Sequence, residues 1–488
     1  MPTVRNSLRF ILNDEDIELS DVPATQTLLD FLRLGKRLRG SKEGCAEGDC
    51  GACTVLVGRL SGGRLVYETV NACIRFTASL HGCHVVTVEH LSRPGDALHP
   101  VQQAMVEFHG SQCGFCTPGI VMSLYGLWMR RPDPTRPEVE EALQGNLCRC
   151  TGYAPIVRAG GAISTYGSLA TDPLVAERET MTARLSALAD GARVELGAGR
   201  DRVIIPADLD DLAEVYGANP EAVIVAGATD VGLWVTKFMR PIGPVVFIAH
   251  LAELHRIEAS AEGITLGAGV TYSEAREPVL ERFPQLAELW SRIGGGQVRN
   301  MGTVGGNIAN GSPIGDTPPP LIALGARVTL RRGGERRSVA LEDFFIAYGR
   351  QDRQPGEFVE SVFIPSLPAG EHLAVYKITK RRDEDISALC GAFRIGLDDT
   401  GRVASARIAF GGMAATPKRA RAVEAALVGR PWDDAAVEAG VAAFPEDYQP
   451  ITDMRASAEY RMLTAQNLLR RFFLETQGEA QRLERGAA

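Results

Sequence analysis

The sequence predicts a multidomain α+β protein, and three observations lead there. At 488 residues the chain exceeds what one hydrophobic core accommodates, so about three or four domains are expected. Strand-like and helix-like spacing come in successive blocks: strand-rich, helical, long and mixed, then strands followed by helices. Nine of the ten cysteines precede residue 151, and eight of the ten form two sets of four.

The elements follow in order. Segments 7–13 and 16–20 flank an Asn-Asp-Glu-Asp turn and read as a hairpin. Thr27 to Leu34 has helical spacing, with Thr25 or Thr27 as its cap. Thr54 to Val57 and Arg64 to Tyr67 pair across Ser61-Gly62-Gly63, so residues 1–92 form a small mixed sheet on one helix. From about Pro94 the chain turns helical. Val101 to His109, Pro118 to Arg130, Pro137 to Leu143 (closed by Gly145-Asn146) and Pro155 to Tyr166 make a four-helix unit over residues 93–166. Residues 167–195, alternately polar and alanine-rich, are expected to be a linker. Residues 196–370 alternate apolar strands with glycine turns and short helices. The last unit, 371–488, opens with strands at 374–379, 392–397 and 404–410 and continues with helix-rich stretches at 418–428 and 456–475.

A net charge of −8 gives no support to a nucleic-acid-binding face, which needs concentrated basic charge. No run of 18 apolar residues is present, so no membrane span is expected. The N-terminal residues 1–6 lack an apolar signal core or twin arginine, and the expected compartment is the cytoplasm. In a reducing compartment crowded cysteines argue for metal ligation over disulfides. Cys83 and Cys390 are left over and read as small buried hydrophobes.

The first cysteine set is Cys45, Cys50, Cys53 and Cys73, C-x4-C-x2-C plus a distant fourth thiol. That is the plant-type [2Fe–2S] spacing, whereas structural zinc sites usually use two short pairs. Gly44, Gly48 and Gly51 let the chain fold tightly and bring N–H groups to the sulfurs. The second set is Cys113, Cys116, Cys148 and Cys150, C-x2-C joined to C-x-C, and its spacing also suits zinc. Cys116 precedes Thr117-Pro118, which puts this site at a helix N-terminus, where negative charge is favoured. Two glycine-rich segments follow, 223–232 and 302–316. Neither is G-x-G-x-x-G; each is either a tight turn alone or an anion nest.

Three motifs now make the chain recognisable: Gly48-Asp49-Cys50-Gly51-Ala52-Cys53, the run Gln112 to Gly119, and Gly145 to Tyr153. Together they resemble the xanthine dehydrogenase and aldehyde oxidase family of molybdenum hydroxylases, and the similarity extends over nearly the whole chain. The resemblance implies a β-grasp plant-type ferredoxin domain and a four-helix [2Fe–2S] domain. These precede an α+β FAD-binding domain of the vanillyl-alcohol-oxidase type and a C-terminal α+β flavoprotein domain. It implies two [2Fe–2S] clusters on the two cysteine sets, with Cys150 and Gln112 approaching a molybdopterin; Gln112 also reads as an ordinary helix-end hydrogen-bonder.

By the same resemblance Ala226, Gly227, Ala228, Thr229, Asp230 and Val231, with Thr303, Val304, Gly305, Gly306 and Asn307, hold the pyrophosphate and ribityl parts of FAD. Asp316, Val359 and Lys377 add contacts. Ile293 stands where animal relatives place an aromatic ring beside the isoalloxazine, a departure from the pattern. Tyr348 reads either as a residue on the nicotinamide side or as a core tyrosine. The loop Lys380 to Asp385 reads as a solvated turn or as a charged loop that biases NAD against oxygen.

The molybdopterin domains are absent from these residues, so no group for substrate hydroxylation is expected here. The resemblance implies the small subunit of such an enzyme, paired with a large molybdopterin subunit in a heterotetramer of two small and two large chains. Hypoxanthine and xanthine would be oxidised to urate on the partner, and electrons would pass through both clusters to FAD and on to NAD. Three other readings use the same residues: an aldehyde or N-heterocycle dehydrogenase, a stand-alone NADH:acceptor reductase, and a zinc-binding scaffold.

Overall fold

The computed structural model describes residues 2–92 and 97–479. Among these residues four buried apolar clusters hold the chain together, as its length requires. The first unit is a mixed five-stranded sheet in the order Glu15–Leu19, Leu8–Leu12, His84–Val86, Thr54–Ser61, Arg64–Asn71. Only the central Leu8–Leu12/His84–Val86 pair is parallel, the β-grasp arrangement. Thr27 Oγ1 accepts the Asp30 N–H at 3.1 Å and opens the helix Leu28–Asp30, which widens over Phe31–Gly35. Ser61 pairs with Arg64 across Gly62 and Gly63, whose φ values of 56° and 77° make the two-residue turn that glycine permits.

The helical unit contains Pro100–Glu107, Thr117–Trp128, Arg136–Ala142 and Ala154–Gly160, each with proline in its first two positions. The last ends at Gly160 rather than near Tyr166. There a β-carbon would sit 2.6 Å from Val139, and the chain leaves through a separate 3-10 turn, Ile163–Thr165. The expected boundary between the first two units, at residues 92 and 93 near Pro94, adjoins residues 93–96, which lie outside the described residues.

The segment 167–195, expected as a linker, is not without structure. This segment forms the helices Pro173–Ala176 and Arg178–Leu188, then enters the strand Arg193–Leu196. Leu174, Met181 and Leu185 are buried, and alanine, a strong helix former, fills positions between them. The longer helix lies on the first sheet, where Arg178 Nη1 donates to Leu65 O at 2.9 Å. Asp172, its side chain fully buried, anchors the approach. It accepts from Tyr125 OH at 2.8 Å, faces His99 Nε2 at 3.0 Å and caps the Leu174 N–H at 3.0 Å.

The third unit has two five-stranded sheets. One is mixed, in the order Val4–Arg5, Arg193–Leu196, Val203–Ile205, Val245–Phe247, Val223–Val225. Its first strand comes from the chain's beginning, so residues assigned from sequence to the first unit are built into this sheet. The other is antiparallel: Ile257–Ala259, Gly263–Gly267, Phe358–Pro365, Arg327–Arg332, Glu335–Ala340. The fourth unit sets His372–Ile378, Leu389–Leu397, Val403–Gly411 and the short Lys418–Arg419 against the helices Arg421–Leu427, Asp434–Asp447 and Ala458–Thr476. Helix Asp434–Asp447 escapes sequence reading because Pro445, a helix breaker, lies inside it. Among the described residues no helix is long and apolar enough to cross a membrane.

Asp172→Ala is expected to cost about 2–4 kcal/mol, since it strands the buried Tyr125 hydroxyl and removes a helix cap. An unfolding midpoint equal to that of the wild type would contradict this.

Candidate electron-transfer site

The first cysteine loop folds as its spacing demands. The N–H groups of Glu47 and Cys50 donate to Cys45 Sγ at 3.4 and 3.3 Å, and Asn71 Nδ2 braces Gly48 O at 2.7 Å. Hydrogen bonds from the Cys50 and Cys73 thiols hold Cys45 far below the usual thiol range; the same contact, together with Cys53, pushes Cys73 well above it. The sulfurs therefore run in a chain, Cys50–Cys45–Cys73–Cys53. Cys53 and Cys73 are buried, whereas Cys45 and Cys50 are partly open.

The second set assembles at the start of helix Thr117–Trp128, with Cys116 as its N-cap residue. The Phe115 N–H and then the Cys150 thiol lower Cys113, while burial and then the Cys148 thiol push Cys116 up to about 12. Two thiol pairs result, Cys113 with Cys150 and Cys116 with Cys148. Among the described residues no three His, Cys, Asp or Glu side chains converge as a single-ion site. Paired sulfurs served by N–H donors fit a two-iron core. Cys113 and Cys150 are exposed, as is Gln112, and Phe115 beside them is 46% exposed. Cys83 and Cys390 are buried, as expected.

The two loops touch through backbone. Leu147 N–H donates to Cys50 O at 3.0 Å, which leaves one hydrogen bond between residues bearing or adjoining thiols of different sets. Asn146 Nδ2 donates to Gly51 O at 3.2 Å, and a β-carbon on Gly51 would stand 2.0 Å from Gly145 O.

The two glycine segments of the third unit meet. Strand Val223–Val225 enters the turn Ala226 to Asp230, where Ala228 has φ 61°, and continues as helix Val231–Thr236. Gly227 packs on Met301 O, where a β-carbon would stand at 1.6 Å. Thr303 Oγ1 accepts the Gly306 N–H at 2.9 Å and starts helix Val304–Asn310. Asp230 is hydrogen-bonded to Asn310 and accepts from Trp234 Nε1 at 3.0 Å. Ala226, Gly227, Thr229, Asp230, Gly306 and Asn307 stay half-buried or exposed at this junction, so small and polar groups remain accessible to a dinucleotide.

At one end Lys377 Nζ pairs with Asp316, which also accepts from Ser387 Oγ at 2.5 Å. Asn307 Oδ1 accepts from Thr317 Oγ1 at 2.7 Å, and Val359 is buried on the strand behind the helix. Ile293 is buried next to Arg292, whose guanidinium donates to Lys377 O at 3.0 Å and to Arg382 O at 2.9 Å. Tyr348 is 76% exposed, so it is not a core tyrosine.

The third unit reaches the cysteine loops by contacts that no local pattern announces. Thr236 Oγ1 donates to Ala46 O at 2.6 Å, and Lys237 Nζ binds Cys45 O and pairs with Glu47 at 3.3 Å. Glu384, in the Lys380–Asp385 loop, is hydrogen-bonded to Asp49. Burial and then that carboxylate push Glu384 up to about 8. The loop is therefore partly a contact with the first cysteine loop rather than a solvated turn. Gln297 lies buried between both loops. The run Gly294-Gly295-Gly296 before it is the only sequence signal of close approach.

Comparison with known proteins agrees with this arrangement. Residues 10–74 match a 2Fe-2S iron-sulfur cluster binding domain and 87–160 a [2Fe-2S] binding domain. Residues 197–367 match the FAD binding domain in molybdopterin dehydrogenase, and 374–476 the CO dehydrogenase flavoprotein C-terminal domain. The chain belongs to the molybdenum hydroxylase family. It is 34% identical over 486 residues to a xanthine dehydrogenase of Drosophila subobscura, covering 88% of this chain and 36% of that protein. With the xanthine dehydrogenase/oxidase of Rattus norvegicus it shares 32% over 519 residues, covering 96% and 39%. The chain thus spans little more than a third of these relatives.

Among solved structures, carbon monoxide dehydrogenase from Hydrogenophaga pseudoflava aligns with a TM-score of 0.53 and 27% identity, over 57% of this chain and 98% of that one. Quinoline 2-oxidoreductase from Pseudomonas putida 86 aligns at 0.51 and 28%, over 56% and 96%. As a member of this family the chain is an iron–sulfur and flavin electron-transfer module.

Glu384 carries a folded-state pKa of about 8 against an ordinary 4.5, so its contribution is intact below pH 4.5 and is lost as pH rises through about 8. Glu384→Gln is therefore expected to match wild-type stability near pH 5 and exceed it near pH 9. A difference that stays flat across that range would disprove the assignment.

Proposed function

We propose that this chain is the small subunit of a xanthine dehydrogenase, carrying electrons from a molybdopterin on a large partner subunit through two [2Fe–2S] clusters to FAD and on to NAD. Cys45, Cys50, Cys53 and Cys73 hold one cluster; Cys113, Cys116, Cys148 and Cys150 hold the other. The supporting observation is the convergence of both thiol sets on one hydrogen bond, Leu147 N–H to Cys50 O, with the helix leaving the flavin turn seated on the first loop.

The residues divide the work. Loop N–H groups and glycines hold the sulfurs, while the exposed Cys113 and Cys150 edge faces outward, where a molybdopterin subunit would dock. Ala226 to Val231 and Thr303 to Asn307 cradle the dinucleotide. The Asp316–Lys377 pair and Val359 bound one end, and Ile293 closes the side where relatives use an aromatic ring. FAD, when bound, supplies the exchange between single electrons and the hydride that NAD accepts. The exposed Tyr348 suits a nicotinamide-side contact. All ten cysteines are free of disulfides, the state that a reducing cytoplasm maintains. Purine oxidation in a heterotetramer of two small and two large chains completes the reading.

A second reading keeps every residue role and changes only the fuel, to an aldehyde or another N-heterocycle. The alignment with quinoline 2-oxidoreductase favours keeping it. Turnover of hypoxanthine against quinoline by the complex with its large subunit separates the two.

The isolated chain is expected to carry about four iron atoms, about four acid-labile sulfides and a yellow flavin. Cys150→Ser should keep the flavin, fall to about two iron atoms and abolish purine-driven NADH formation in the complex. A colourless zinc protein, or unchanged turnover by Cys150→Ser, would refute the proposal. Turnover with NADH and dyes by a chain that never associates with a molybdenum subunit would point to a stand-alone reductase.

A further inference from the structure

Gln297 belongs to the flavin unit, on the short turn Gly296–Arg299, yet its side chain is spent on the cysteine loops. It is 1% exposed. Its Nε2 lies 3.2 Å from Thr54 Oγ1, next to Cys53, and 3.1 Å from Ser123 Oγ, on the helix that Cys116 opens. It also lies 2.9 Å from Asn146 Oδ1 and 3.5 Å from Gly145 O, just before Cys148. Thr54 Oγ1 and Asn146 Nδ2 in turn donate to Gly51 O at 2.7 and 3.2 Å. One amide thus ties the residue after the last cysteine of the first loop to the residues before the C-x-C pair of the second set, around the Leu147 to Cys50 hydrogen bond.

Stability alone gives no reason for this choice. Gln297 Oε1 is buried without a partner, against Gly145, where a β-carbon would stand 2.2 Å away. An orphaned carbonyl is costly, and an apolar side chain of equal volume would avoid that cost. What the amide alone provides is register between the two loops.

We propose that Gln297 is a positioning residue that sets the geometry between the two clusters and thereby the rate at which an electron crosses from one to the other. In that step the Cys113/Cys116/Cys148/Cys150 cluster is oxidised by one electron, the Cys45/Cys50/Cys53/Cys73 cluster is reduced by one, and no bond breaks. The inference rests on both sets holding [2Fe–2S] clusters. Because Gln297 comes from the flavin unit, the inter-cluster distance is under the control of the unit that receives the electrons.

The test uses the full chain carrying both clusters and FAD. Iron and acid-labile sulfide are measured first on the wild type; about half the expected content would defeat the cluster reading itself, separately from this inference. Electron paramagnetic resonance of the dithionite-reduced chain then reads the magnetic interaction between the clusters, and rapid mixing with NADH reads arrival of electrons at the second cluster. Gln297→Leu should keep iron, sulfide and FAD, lose or alter the interaction splitting, and slow that arrival about tenfold.

Asn300→Ala removes a neighbouring contact between the same units, Nδ2 to Thr69 O at 2.9 Å, outside the seam, and should leave the splitting intact. Should Gln297→Leu lose iron, Ser123→Ala, which removes one acceptor of the amide, is expected to alter the splitting in the same sense. Unchanged splitting in Gln297→Leu, or in Ser123→Ala where the first variant fails, overturns the proposal. An equal change in Asn300→Ala also overturns it, since the effect would then be general loosening.

Discussion

Backbone contact between the two cysteine loops is the constraint on which the rest of the structure depends. A β-carbon on Gly51 would stand 2.0 Å from Gly145 O, and one on Gly119 would stand 2.0 Å from Gly51 O. Only glycine allows main chains so close, and Gly51, at φ +67°, also needs the backbone freedom. From this approach follows the placement of helix Thr117–Trp128, whose first turn carries Gly119, and the burial of Asn146 and Ser123, which bond each other at 2.7 Å. A one-residue shift in either loop would lose the Leu147 to Cys50 bond and leave buried amides unpaired.

The flavin unit is tied to this seam by charge as well as by shape. Arg59, on the first sheet, pairs with Glu68 at 3.2 Å and with Glu274 at 2.7 Å. Burial opposes ionisation of Glu274, but His255 and Arg59 win and hold its carboxyl at about 2. His255 offers Nδ1 to Glu274 at 3.0 Å and Nε2 to Ala249 O at 3.0 Å. Glu274 also accepts the Thr271 N–H at 2.8 Å, and Thr271 bridges to Thr303 in the second glycine segment. A half-buried network therefore runs from the ferredoxin-like sheet to the start of helix Val304–Asn310, which favours one relative placement of the two units over others.

Much of this was legible because its determinants are local. The hairpins and the starts of the proline-led helices depend on residues near one another, and the structure reproduces them closely, though the fourth helix stops at Gly160, six residues short of the expected end. The helices after residue 167 were not legible because alanine and polar residues without strong apolar runs resemble a tether. The longer one becomes evident only once Met181 and Leu185 are seen against the first sheet. Val4–Arg5 could not be assigned, since its partner is Arg193, almost two hundred residues away in sequence. Within the site, sequence gave the thiols and glycine turns but not Gln297, Lys237, Thr236 or the Asp49–Glu384 contact. Each acts across units, and apart from the glycines before Gln297 nothing beside it in sequence distinguishes it from an ordinary helix or loop residue.

Two of the chain's departures from locally favourable choices meet at one spot. Glu384 has φ 52° and a buried Oε1 without a partner; Gln297 has a buried Oε1 in the same condition. Both lie against one spot: a β-carbon on Gly295 would stand 2.5 Å from Glu384 Oε1 and 2.6 Å from Gly145 Cα. Other unpartnered buried atoms in these units, Arg5 Nη1, Glu89 Oε2, Gln285 Oε1 and Arg353 Nε, lie singly, whereas Asp172, Arg299 and Asn300 are satisfied. Unfavourable conformations and desolvated polar atoms persist where surrounding structure over-determines them, and functional sites are where such costs concentrate. The meeting point of the two cysteine loops and the flavin unit is such a place, so its composition is better explained by the need to keep three redox-bearing segments in fixed contact than by stability.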